Sequence, residues 1–318
     1  MNGKTMQGRF YEIYDVFTEK PLAGNPLAVV HDSEGLDDAT MLAIAREFNL
    51  SETVFVEPPV NPLHTASIRI FTPDYELNFA GHPTVGTAIA LAYKNCNGEK
   101  PQTDLIMTLE EKVGPVRIAV HCNGSADAGG QQPVAFAEFD LPRLPERVNI
   151  TVEKEQAAAA LRLNTHEIGF ENHVPSVWSG GKPYVLVPVK NMIAAAKVVV
   201  DPVFVEDHML AVDGRAVPFY IYTRETRLYE SNYHARMFTS GKHVYEDPAT
   251  GSAVAAFAGA IHEFDQPVDG LTQLWIEQGI QMGRPSRIRL ELDVAGKKLT
   301  GARIGGSAVK VAEGYLRI

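Results

Sequence analysis

A small set of residues in this 318-residue chain combines types and spacings suited to proton chemistry on an anion. Glu52 lies in Leu50-Ser51-Glu52-Thr53, between an amphipathic segment and the apolar run Val54-Phe55-Val56. A carboxylate at such a junction is partly desolvated, which raises its pKa toward the range where it can take and return a proton near neutrality. A Glu in a loop is also commonly just solvated. Gly81 and His82 open the stretch GHPTVGTAIALA, and Gly251 and Ser252 open GSAVAAFAGA. Each pair stands where a helix should begin, so its backbone N–H groups lack intrahelical partners and the helix dipole adds partial positive charge. Two such starts facing one cleft make a carboxylate site, and the glycines let a ligand approach the backbone with no Cβ in the way. His82 and Asp247 bring titratable groups to these turns. The plain alternatives are packing or capping for His82 and a helix N-cap for Asp247.

The elements that must position these residues follow from periodicity. Alternation over 11–17, the turn-rich EKPLAGNP and the apolar run 27–30 predict a β-hairpin. Asp37 or Asp38 caps a helix with Met41, Leu42, Ala45 and Phe48 on one face, ending near Asn49. Strands are expected at 53–57, 67–71, 105–109 and 116–120, and an Ala-rich helix from the GHPT turn to about Tyr93. CNGSADAGGQQP, 122–133, reads as a linker. Strands at 134–139, 184–189, 217–222 and 235–238, a helical stretch at 153–161 and a second Ala-rich helix from Gly251 come next. The tail from Ser286 reads as three short strands joined by Ala-Gly and Gly-Gly turns. Strands in runs with few helices between them favour an α+β fold.

NFAGHPTVGTAIALA, from Asn78, and YEDPATGSAVAAFAG, from Tyr245, form an internal repeat: a tight turn leading into a helix of small residues. Two similar lobes are expected, each with a β-sheet wrapped around one buried central helix. The lobes are placed at 1–125, completed by the terminal strand at about 306–318, and at 126–305.

Composition narrows the function. Lys plus Arg number 29 against 39 for Asp plus Glu, a net charge of −10 that disfavours nucleic acid and anionic membranes as partners. A small anion is still admissible where backbone N–H groups outweigh that diffuse field. No stretch is long and apolar enough to span a bilayer and the start lacks a secretory pattern, so a cytoplasmic protein is expected. Cys96 and Cys122 lack metal-ligand spacing and read as free structural thiols. No metal and no organic cofactor is expected, for want of a ligand cluster or a phosphate loop.

The segments DVFTEKPLAGNPLAVV, SETVFV, RIFTPDYELNFAGHPTVGTA, EDPATGSA, EQGIQMGRPS and IGGSAVKVAEGYLRI resemble, in order and over essentially the whole chain, signature segments of the PhzF-like phenazine-biosynthesis family. The resemblance implies a fold like diaminopimelate epimerase, with two pseudo-symmetric lobes and the active site in the cleft between them. It implies a cofactor-independent isomerase acting on a small cyclic or amino-acid-like carboxylate, of the trans-2,3-dihydro-3-hydroxyanthranilate type, and a homodimer is expected. Carried over by motif, Glu52 would be the acid/base. His82 and Asp247 would hold polar substituents and tune it, and Ser252 with the Gly81 and Gly251 amides would hold the substrate carboxylate. Related epimerases use two facing cysteines at these turns, where this chain has Ala80-Gly81-His82 and Pro248-Ala249-Thr250, so two-thiol stereoinversion is disfavoured. An epimerase-like proton transfer and a non-catalytic small-molecule binder are the alternative readings.

Overall fold

The computed structural model describes residues 8–96, 103–122, 134–208, 211–212, 215–240 and 244–318. The linker read at 122–133 lies, apart from Cys122, outside the described residues. The chain divides into two compact units, Met1–Phe139 with Gly305–Ile318, and Asp140–Ile304. In chain order the first contains β1 (Arg9–Val16), β2 (Asn25–Val30), α1 (Asp38–Phe48), β3 (Glu52–Glu57), β4 (Ala66–Phe71), β5 (Glu76–Leu77), α2 (Gly81–Asn95), β6 (Leu105–Glu111), β7 (Gly114–His121) and β8 (Ala135–Asp140). There follow β9 (Glu146–Arg147), α3 (Lys154–Ala160), β10 (Ser176–Ser179), β11 (Pro183–Pro188), α4 (Met192–Lys197), α5 (Pro202–His208) and a two-stranded ribbon of β12 (Ala211–Val212) and β13 (Arg215–Ala216). Then come β14 (Phe219–Thr223), β15 (Tyr233–Phe238), β16 (Glu246–Asp247), α6 (Gly251–Asp265), β17 (Gly270–Gln278), β18 (Ser286–Ala295) and β19 (Lys298–Leu316).

In the first unit β1 pairs with β2, β2 runs parallel to β3, β3 pairs with β4, and β4 runs parallel to β6. Strands β6, β7 and β8 follow antiparallel, and β19 pairs with both β8 and β1, which closes an eight-stranded barrel. Closure removes the exposed strand edges an open sheet would present. Helix α2 fills the barrel: every residue from Gly81 to Ala92 is buried. Small side chains are what permit this, since a Cβ on Gly86 would stand 2.6 Å from Leu27 Cδ2. Helix α1 packs Met41, Ile44 and Ala45 against Val30, Phe55 and Phe71. Asp37 caps it through Thr40 N, and Asn49 ends it in the left-handed conformation, as its sequence predicts.

The second unit repeats this plan. Strand β11 runs parallel to β14, β14 pairs with β15, β15 runs parallel to β17, and β17 pairs with β18. The order β11-β14-β15-β16-α6-β17-β18 thus reproduces β2-β3-β4-β5-α2-β6-β7, parallel and antiparallel pairings included. Helix α6 is buried along Ala253–Ile261, with Gly259 pressed so closely on Trp178 that a Cβ there would fall 2.2 Å from Cε3. Val187, Ile221 and Phe219 form a further core with Ala157 and Leu161 of α3 and its C-cap and with Ala194 of α4.

Two expectations need correction. The boundary at 125/126 is too early: β8 is hydrogen-bonded along β7, so it belongs with the first unit. The tail contains two strands, not three. The chain turns at Gly296-Lys297, where both residues have positive φ, but β19 runs straight through Gly305-Gly306. Those glycines make room for aromatic rings, because a Cβ at 305 would lie 2.6 Å from Phe136 Cζ and one at 306 would lie 2.3 Å from Phe17 Cδ1. Neither Cys96 nor Cys122 is joined in a disulfide. Among the described residues no helix is long and apolar enough to cross a membrane.

Candidate active site

The predicted residues divide between the units: Glu52, Gly81 and His82 in the first, Asp247, Gly251 and Ser252 in the second. The left-handed Asn49 turns the chain out of α1 so that Glu52 becomes the first residue of β3, opposite Leu27 of the parallel strand β2. Its side chain keeps 17% of its surface open. His82, in the first turn of α2, is almost wholly enclosed and places Nε2 3.4 Å from Glu52 Oε2. The two are not aligned as a hydrogen bond, and Nε2 finds no other hydrogen-bond partner. Burial pushes the His82 pKa down to about 3, so at neutral pH this is a neutral ring with an unused nitrogen beside a carboxyl group, not an ion pair.

In the second unit Asp247 is buried, and it is not the cap of α6. Thr250 occupies the N-cap position without a side-chain cap bond, and its hydroxyl donates to Asp247 Oδ2. Gln278 Nε2 donates to Asp247 O at 2.8 Å and to Thr250 Oγ1 at 3.0 Å, tying the turn to the end of β17. Gly279 follows with φ +74, and a Cβ there would stand 2.6 Å from Pro248 O, so the glycine lets the loop after β17 lie directly on this turn. Ser252 Oγ is 2.6 Å from Tyr184 OH, whose ring is buried on β11.

Helices α1 and α4 are capped by the Asp37 and Asn191 side chains, whereas the N-caps of α2 and α6, Ala80 and Thr250, make no side-chain cap bond. Neither of these two helix starts is therefore closed by its own N-cap side chain, and the start of a helix favours an anion. Among the described residues no group of His, Cys, Asp and Glu is arranged to hold a metal ion.

Sequence reasoning missed Tyr184, Thr250 and Gln278. Gln278 stands within the signature segment EQGIQMGRPS, a signal that was present but unassigned. Tyr184 offered only the alternation of an ordinary strand.

The family described as phenazine biosynthesis-like protein matches residues 14–314. An uncharacterized isomerase of Mesorhizobium japonicum is 57% identical, over 98% of this chain and 100% of its own length. The trans-2,3-dihydro-3-hydroxyanthranilate isomerase of Pseudomonas aeruginosa is 33% identical, over 96% of this chain and 98% of its own. The crystal structure of a PhzF-family phenazine biosynthesis protein from Bacillus anthracis matches with a TM-score of 0.82 at 26% identity, covering 98% of this chain and 100% of that one.

Proposed function

The chain belongs to the phenazine biosynthesis-like (PhzF) family and is an isomerase, and from that premise we propose that it moves a proton between carbons of a small cyclic or amino-acid-like carboxylate, with Glu52 as the single acid/base. The observation that carries this reading is the Glu52–His82 contact at the uncapped start of α2. As carboxylate, Glu52 takes the proton from one substrate carbon, and as the acid so formed it returns the proton to another, so charge and atoms balance with no cofactor step. In the first unit the unused Nε2 of neutral His82 would hold a polar substituent and the Gly81 amide, at the start of α2, would favour a carboxylate; Asp247, Gly251 and Ser252 stand at the matching helix start of the second unit. With a net charge of −10, capture of an anion falls to this local geometry.

The likeness to a trans-2,3-dihydro-3-hydroxyanthranilate isomerase makes that compound the first substrate to test. In deuterated water the parent should convert it with solvent deuterium appearing at carbon, and Glu52→Gln should lose about 10³-fold or more of both rates while folding normally. Near-parental exchange in the Gln variant would remove Glu52 from its role. Conversion without any isotope incorporation would not by itself do so, since a sheltered base can return the same proton.

A further inference from the structure

The last two residues of β6 and of β17 occupy equivalent places, each strand following its unit's central helix. The first of each pair is a carboxylate with the same three partners in kind. Glu110 accepts from Val60 N and Asn61 N at 2.7 and 2.8 Å and meets His64 Nδ1 at 2.8 Å. Glu277 accepts from Arg227 N and Leu228 N, both at 2.7 Å, and meets His234 Nδ1 at 2.9 Å. The register of the repeat therefore sets Glu111 against Gln278. Both reach the start of the central helix: Gln278 as an amide donor to Asp247 and Thr250, Glu111 through Thr84.

The Thr84 hydroxyl has one proton and two oxygen neighbours, Ala80 O at 2.8 Å and Glu111 Oε1 at 2.7 Å. A backbone carbonyl can only accept, so when the Thr84 proton goes to Ala80, the contact with Glu111 needs a proton from the carboxyl group. The surroundings point the same way. Glu111 is 8% exposed, and its Oε2 has no hydrogen-bond partner. An ionised group so placed would be a buried charge with one oxygen unsolvated, whereas a neutral acid leaves only a carbonyl unpaired. Among the described residues no neighbouring charge relieves it. On its own strand and turn, Glu110 is held by the loop at 60–64 and Lys112 is paired with Glu76, while on α2 His82 is neutral.

We propose that Glu111 is a neutral carboxylic acid that donates its proton to Thr84 and thereby fixes the first turn of α2, the turn that carries His82, as the Gln278 amide fixes the turn before α6. Glu111 is a positioning residue, and the chain Glu111→Thr84→Ala80 ends on the residue that precedes Gly81-His82. Burial pushes its carboxyl up to about 8, which extends the neutral form through physiological pH. The proposal does not depend on the role assigned to Glu52.

The test uses the full chain, with Glu111→Gln and Glu111→Ala beside the parent. Because the folded pKa lies above the unfolded value of 4.5, the group's contribution to stability is complete below about 4.5 and is lost as pH rises through about 8. The unfolding midpoint of Glu111→Gln minus that of the parent should therefore grow by several degrees from about pH 5 to about pH 8 and then level off. Infrared spectra of the parent should contain a protonated-carboxyl band at neutral pH that fades above about pH 8 and is missing from Glu111→Gln. Glu111→Ala, with no donor, should be less stable than Glu111→Gln at every pH. A difference curve flat in pH, a band that survives in Glu111→Gln, or a Gln variant that fails to fold or is no more stable than Ala would each overturn the proposal.

Discussion

Arg69 on β4 and Arg236 on β15 occupy the same place in the two units, and each forks onto a glutamate of the following two-residue strand. Arg69 reaches Glu76 at 2.8 and 2.6 Å, and Arg236 reaches Glu246 at 2.8 and 2.8 Å. Each guanidinium also stacks over the Phe two residues on, Phe71 at 5.2 Å and Phe238 at 4.6 Å. The helix starts beyond these forks differ. The first presents His82 to Glu52, the second presents Ser252 to Tyr184 and Asp247 to Thr250. The groups that hold each turn in place are duplicated, whereas the side chains presented at the two helix starts are not.

The sharpest way to break that comparison is to remove the buried anchor from one unit and then from the other. Glu277 has no exposed side-chain surface, and its carboxyl is held below the usual range against the opposing effect of burial by His234 and two backbone amides. Glu277→Ala should cost about 3 kcal/mol or more in chemical denaturation, by orphaning His234 and the two amides. Glu110→Ala, at a more open site, should cost distinctly less. Equal losses would show that the two anchors are not graded by burial. Both carboxyls are held below the usual range, so both contributions are full above about pH 4.5 and are lost as pH falls through the folded values, and each variant's deficit against the parent should shrink in acid.

Smaller effects should follow from the arginine forks. Arg236 is 8% exposed at its side chain and also donates to Ala195 O at 2.7 Å, tying β15 to α4, while Arg69 is 20% exposed and adds only a contact to the exposed Asp38. Lysine cannot reproduce the planar fork. Arg236→Lys should cost about 2 kcal/mol, and Arg69→Lys roughly half of that or less, read from unfolding midpoints. Of similar size to Arg69→Lys is Tyr184→Phe, which removes the hydroxyl that meets Ser252. It should raise KM several-fold with kcat nearly kept, a loss of about 1 kcal/mol, and a selective fall in kcat would mean that Tyr184 acts on more than binding.

Much of this frame is written in local patterns. The Asp37 cap, the Asn49 stop and the paired Ala-rich helices follow from residue types a few positions apart, and the helices could be small only if something wrapped them closely. The repeat was legible further than it was taken: RIFT from Arg69 and RMFT from Arg236 carry the forks, and EE at 110–111 and EQ at 277–278 carry the anchors. Gly305-Gly306 misled because a glycine pair serves equally for a turn or for a strand under aromatic rings, and only the rings decide which.

By itself the sequence determined the family, the α+β class, the two central helices and the short set Glu52, His82, Asp247, Gly81, Gly251 and Ser252 as candidates, because motif and periodicity are properties of neighbouring residues. The tertiary structure decided that His82 is neutral with an unused nitrogen 3.4 Å from Glu52, that Asp247 receives the Thr250 hydroxyl instead of capping α6, and that Tyr184 meets Ser252. Each of these depends on burial or on partners brought together from separate elements, and on protonation states that only a desolvated, fully packed environment can set.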